Sequence, residues 1–265
     1  MPQTLTETST LRKTSVLILL LAMVLLGMFP LDVILPSFPA LAEHFDTTSA
    51  NIALSISIFA VGFSISQFFL GPLSDRLGRK RLLILGMAVS IAGAVGCLNS
   101  TQFSTFILFR MLQAVGCGCF VLTNALVQDI FENDERERVR ILMTTAGGFF
   151  ISTSPLLGTL LQSAFGWTGS FYLFVLIAAL VLAHAVWALP SSFAAASNLR
   201  FWSACGAIVS NGRFMGFSLI AAIAFTCHFS FIVISPVIFL DDFGLTQLQF
   251  SLVLLIYGAA YVVGA

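Results

Sequence analysis

Long apolar stretches fill this chain, with short polar segments between them. A helix crossing a hydrocarbon core needs about 20 apolar residues. Runs of that kind fall at 14–37, 50–70, 82–98, 104–127, 141–163, 170–189, 214–240 and 247–265. These runs predict eight membrane-spanning helices. They are apolar on all sides, which favours helices over barrel strands, whose residues would alternate over about 10 positions. The first run begins at Thr14, outlasts a signal-peptide core and has no A-x-A site after it. It reads as a span, not a cleaved leader. The longest polar segment, 190–213, separates six runs from two. Within it 198–214 is mildly amphipathic through Phe201, Trp202, Ile208 and Val209, which suits an interfacial helix or a plain linker. The last run reaches Ala265 with no polar flank or basic anchor, so the chain is expected to be cut inside a span.

Composition agrees with this pattern. The chain has 265 residues, 58% hydrophobic and 9% charged, where soluble domains carry about 25% charge. Twelve basic and twelve acidic residues cancel to zero net charge. No basic face is left for nucleic acid, and the hydrophobicity is too high for disorder. The implied partner is the lipid bilayer. The charges also sort by side. Arg12 and Lys13 precede the first run; Arg76, Arg79, Lys80 and Arg81 follow the second; Arg136, Arg138 and Arg140 follow the fourth; Arg200 and Arg213 follow the sixth. The alternate loops hold acids, Glu43 and Asp46, then Asp241 and Asp242. By the positive-inside rule the N-terminus is predicted to be cytoplasmic. The twelfth basic residue, Arg110, is inside a run.

The loop after the second run reads Gly71-Pro-Leu-Ser-Asp75-Arg76-Leu-Gly78-Arg79-Lys80-Arg81. Gly71 and Gly78 permit a tight turn and close helix approach. Asp75 suits a helix N-terminus, and Arg79 can fork onto a carboxylate. The segment resembles the G-x-L-a-D-r-x-G-r-[kr] signature between helices two and three of the major facilitator superfamily. That resemblance implies an all-α membrane fold with about 8 of an expected 12 helices present. It divides the chain into a cytoplasmic tail (1–13), a six-helix bundle (14–189), a cytoplasmic central linker (190–213) and the first two helices of an incomplete second bundle (214–265). It further implies a gating charge relay of Asp75, Arg79 and Asp129, with Asp75 facing a helix of the second half. The stretch from Glu132 to Arg140 alternates in sign and reads as a solvated loop.

Two charges lie at membrane depth, where each is by default a functional hypothesis. Arg110 heads Arg110-Met-Leu-Gln113-Ala-Val-Gly116-Cys-Gly118, and Gly116 and Gly118 thin that helix for packing. Asp32 sits in Leu31-Asp32-Val-Ile34-Leu-Pro36-Ser-Phe-Pro39. Both segments resemble elements of the Bcr/CflA drug-resistance group within the superfamily, with Ile34 in place of its usual tyrosine. Asp32 lies roughly 27 Å along its span and Arg110 roughly 9 Å from the far end of its own, so both fall in the outer half. The resemblance puts both helices around a central cavity, so Asp32 and Arg110 are expected to interact, directly or through water. Protonation of Asp32 would then release Arg110, with Gln113 beside it.

In the fifth run, Gly147, Ser154, Pro155 and Gly158 resemble the g-x-x-x-G-P-x-x-G-G antiporter signature, with Ser154 and Thr159 at glycine positions. Ser154-x-x-x-Gly158 is a small-residue packing face, and Pro155 can kink the helix. Gly166-Trp167-Thr168-Gly-Ser-Phe171 carries threonine where the group has arginine, and Ser235-Pro236 and Phe243-Gly244 also match it. The resemblance implies proton-coupled export of small amphiphilic drugs, such as chloramphenicol or bicyclomycin, by a monomer in the bacterial inner membrane. A metabolite or sugar transporter of the same fold and a non-transporting fragment remain open. Five cysteines read as small buried hydrophobes, not metal ligands. His184 and His228 read as polar packing. No G-x-x-x-x-G-K-[ST] loop is present, so the proton gradient is the expected energy source, with no cofactor and no catalytic constellation.

Overall fold

A chain in lipid must close its backbone hydrogen bonds internally, and here every apolar run does so as a helix. The computed structural model describes residues 3–189 and 201–264. Among these the α-helices are α1 (Gln3–Asp32), α2 (Phe38–His44), α3 (Ser49–Leu77), α4 (Arg79–Leu98), α5 (Phe103–Cys117), α6 (Leu122–Ile130), α7 (Asn133–Phe165), α8 (Thr168–Ala188), α9 (Phe201–Val209), α10 (Gly212–Pro236) and α11 (Gln247–Gly264). Seven helical segments are long and apolar enough to cross a membrane. Two of them join shorter pieces: Lys13–His44 takes in α2, and Phe103–Ile130 joins α5 and α6 through a 3-10 turn. The eighth expected run is α11, apolar over Gln247–Ala260.

Helix α1 already begins at Gln3, within the expected tail 1–13, and its part long and apolar enough to cross a membrane begins at Lys13. One expectation changes. The segment expected as a loop before the fifth run is instead the first turns of α7. Its charges cap helices: Glu132 and Glu135 form a capping box, and Arg136 donates to the Phe131 and Gln128 carbonyls at the end of α6. The linker 190–213 lies partly outside the described residues. Its described part contains α9, followed by α10 from Gly212.

Two chemical devices shape the bundle. First, buried hydroxyls bond their own helix: Ser55 to Ile52, Ser90 to Met87 and Thr123 to Phe120. Second, serine repairs proline. A proline removes the hydrogen bond to the carbonyl four residues before it. Pro155 deprives Ile151 in this way and Pro236 deprives Ile232. The preceding serines, Ser154 and Ser235, donate to those same carbonyls at 3.1 and 2.8 Å.

Small residues set the packing distances. A Cβ on Gly93 would meet the Gln113 backbone, and one on Gly116 would meet Ser90, so α4 and α5 touch at backbone distance. Gly118 makes the corresponding approach to Ser66 of α3. Gly158 fits α7 against the break after α1, where a Cβ would meet the Val33 carbonyl. Gly147 faces Met28 of α1. Gly71 has open space around it, so it makes no close approach among the described residues; the turn is made by Gly78 alone. Gly158→Ala should therefore lower the thermal unfolding temperature in detergent, as overpacking costs about 1–3 kcal/mol. Gly71→Ala should leave it unchanged within error.

Candidate functional site

The first cluster lies at the turn between α3 and α4. Gly78 is the one residue joining the two helices, at φ 90°, a conformation that glycine adopts readily. The tightness of this turn places Arg79 between two carboxylates. Its Nη1 lies 2.6 Å from Asp129 Oδ2, and its Nη2 lies 3.5 Å from Asp75 Oδ1. Nη1 lacks hydrogen-bond alignment despite the short distance. Arg79 thus bridges two acids by charge, where the sequence suggested a fork onto one. Arg76 is on the exposed side of α3. Lys80 donates to the Val186 and Leu189 carbonyls at 2.7 and 2.5 Å, capping the end of α8. Lys13 of α1 pairs with Glu135 of α7 at 2.9 Å on the same side.

The second cluster surrounds Arg110, whose side chain is fully buried. Pro36 has no N–H to offer the Asp32 carbonyl, so α1 stops at Asp32 and its last carbonyls lack helical partners. Arg110 Nη2 donates to one of them, the Pro30 carbonyl, at 2.9 Å. Nη1 donates to Gln113 Oε1 at 2.9 Å. The guanidinium also lies over the Phe59 ring at 4.4 Å and near Phe171 at 5.9 Å, a favourable placement for a desolvated cation. The expected direct pairing of Asp32 with Arg110 is not formed. Equal depth put the two residues at one level, but the broken end of α1 presents a carbonyl to Arg110, not the carboxylate. Asp32 is 9% exposed, and among the described residues its carboxylate has no ion-pair or hydrogen-bond partner. A cavity of about 10 Å³ beside Arg110, lined by Gln113, Ser170 and Phe171, has room for roughly one water.

The third cluster runs along α7. A cavity of about 990 Å³ lies between α1, α6, α7 and α11. Val24, Met28, Met143 and Phe149 line it with apolar surface; Asn124, Thr144 and Thr153 add polar groups, and among the described residues Arg140 is the one charged group lining it. On α7 the cavity lining runs to Thr153, and at Ser152 α7 already touches α11. Here a Cβ on Gly258 would meet Ser152. Ser251 is fully buried and donates to the Pro155 carbonyl at 2.9 Å, and Thr159 lies 2.6 Å from Ser251.

Comparison with known proteins explains why these clusters occur together. The model of the Major Facilitator Superfamily matches residues 17–265. The chain belongs to that superfamily. This facilitator is 30% identical over 234 residues to a chloramphenicol resistance protein of Pseudomonas aeruginosa, covering 86% of this chain and 55% of the relative. It is 24% identical to a bicyclomycin resistance protein homolog of Haemophilus influenzae, covering 91% and 63%. It is 24% identical to multidrug resistance protein MdtL of Klebsiella pneumoniae strain 342, covering 87% and 60%. The facilitator therefore spans roughly three fifths of the length of these relatives.

Sequence reasoning missed the Pro30 carbonyl, Phe59 and Ser251. The Pro36 that ends α1 was the available signal for the first. The other two depend on which helix faces which. In this facilitator Arg110→Lys keeps the charge but cannot reach Pro30 and Gln113 in one plane. It should lower stability by about 1–3 kcal/mol, read as a fall in the thermal midpoint of purified protein.

Proposed function

We propose that this facilitator exports small amphiphilic drugs from the bacterial cytoplasm in exchange for protons. The observation that carries the reading is the buried Asp32 carboxylate, which has no partner among the described residues. A carboxyl group at membrane depth is far easier to keep neutral than charged, so it is suited to accept and release a proton. It hangs from the same broken end of α1 that Arg110 holds. Arg110 accordingly acts as a positioning residue for the break, and Asp32 carries the proton. In this scheme protonation does not release a salt bridge. It changes the charge on the last turn of α1, next to the helix seam where Gly158 touches Val33.

The roughly 990 Å³ cavity supports the substrate side, because drug-sized sites are of this size and mostly apolar with a few polar groups. With Arg140 as the one charged group lining it among the described residues, the surface favours neutral amphiphiles over cations. The relatives' names point to chloramphenicol and bicyclomycin as the substrates to try first. The sorting of basic residues supports a cytoplasmic N-terminus, and the proposal places the protein in the inner membrane as a monomer. The charge cluster at Arg79, Asp75 and Asp129 is the proposed cytoplasmic latch.

Labelled chloramphenicol accumulation in efflux-deficient bacteria tests the reading. Expression of the chain should lower accumulation, and a protonophore should raise it again. Asp32→Asn should abolish the effect at unchanged protein level. Accumulation that is unaffected by expression would point to a different substrate or a chain that does not transport by itself. For the latch, Arg79→Asp should reduce export and the added change Asp129→Arg should partly restore it. Failure of the swap to recover any activity counts against the pairing.

A further inference from the structure

The antiporter-type signature in α7 departs from its pattern at two glycine positions, Ser154 and Thr159. Ser154 is explained by the repair of Ile151. Thr159 is not used by anything described so far within α7. Its hydroxyl lies 2.6 Å from Ser251 Oγ and 3.2 Å from the Gln247 carbonyl, both on α11. Ser251 in turn donates to the Pro155 carbonyl at 2.9 Å. Each hydroxyl has one proton, and each has a carbonyl on the facing helix to donate to, Thr159 to Gln247 and Ser251 to Pro155. Whichever hydroxyl donates across the 2.6 Å contact, the other donates on to its carbonyl, so the pair ties α7 to α11 in either direction.

Position gives this pair its consequence. α7 and α11 run in opposite directions. They touch at Thr159 and Ser251, stay in contact at Ser152 and Gly258, and part around the cavity beyond, where Gly148 and Ala259 line opposite walls. The contact therefore closes the cavity on the side away from Arg79. We infer that Thr159 and Ser251 form a hydrogen-bonded clasp that holds this side of the cavity shut, in a place where the signature would use bare glycine contact. A glycine seam parts at the cost of dispersion alone. This seam must also find new partners for the fully buried Ser251 hydroxyl and the half-buried Thr159 hydroxyl, because buried polar groups without partners are costly. Opening therefore requires water to enter the seam. In this protein the departure from glycine changes the closure from a dry one to one coupled to hydration.

The inference rests on the exporter reading for its meaning but not for its test. Spin labels at Ser163→Cys and Leu248→Cys, both exposed beyond the clasp, report the opening between α7 and α11. The background carries Cys205→Ser and Cys227→Ser, since the other three cysteines are buried. Pulsed electron–electron distance measurement on purified protein in lipid nanodiscs should show one short population. Thr159→Val keeps the shape and removes the hydroxyl. It should add a longer population, with the closed-to-open ratio falling roughly fivefold, the effect expected of one net hydrogen bond. Ser251→Ala should do the same, and the double variant should go no further than either single change. Thr159→Ser should restore the wild-type distribution. An unchanged distribution in both single variants overturns the clasp, as does simple additivity in the double variant. A shift in distance without drug export would uphold the clasp and sink the exporter reading.

Discussion

In hydrocarbon every carbonyl needs a donor, and the structure is organised around those that proline and helix ends leave over. Five side chains share this one origin. Arg110 donates to the Pro30 carbonyl. Ser154 and Ser235 donate to the carbonyls that Pro155 and Pro236 expose. Lys80 and Arg136 cap the ends of α8 and α6. Side chains that look like scattered polar residues in an apolar sequence are thus backbone partners. Lys80 and Arg136 act at C-terminal helix ends, where a cation also meets the negative end of the helix dipole.

This accounting explains how a full positive charge is tolerated at Arg110. Its neighbours are a carbonyl, an amide oxygen and an aromatic face, none of them formally charged. An ion pair with Asp32 would satisfy both charges at once and leave little to titrate. By using a helix-end carbonyl for the arginine, the fold keeps the carboxylate apart. The support of the helix end by Arg110 and the unpartnered carboxylate thereby belong to different groups on the same turn of α1.

How much of this was legible from sequence depended on distance along the chain. The turn at Gly78 was readable, because a glycine between charged residues is local chemistry. Helix positions were readable from run length. The Asp32–Arg110 expectation failed because counting residues gives height in a membrane but not direction around a helix. The break at Pro36 rotated what α1 presents, and only the assembled fold shows it. Ser251 carried no signal, since nothing in its own neighbourhood announces a partner 96 residues away. The first turns of α7 read as a loop because alternating charges look alike in a solvated turn and in a capped helix start.

The single-residue joint between α3 and α4 has a mechanical meaning. α4 is locked to α5 through Gly93 and Gly116, and α5 to α3 through Gly118, so the three helices close a triangle with Gly78 at one vertex. A triangle cannot be sheared without breaking a side. The block is therefore stiff against shear, and Arg79 sits at its vertex, where its charge contacts to Asp75 and Asp129 tie α6 to the same corner.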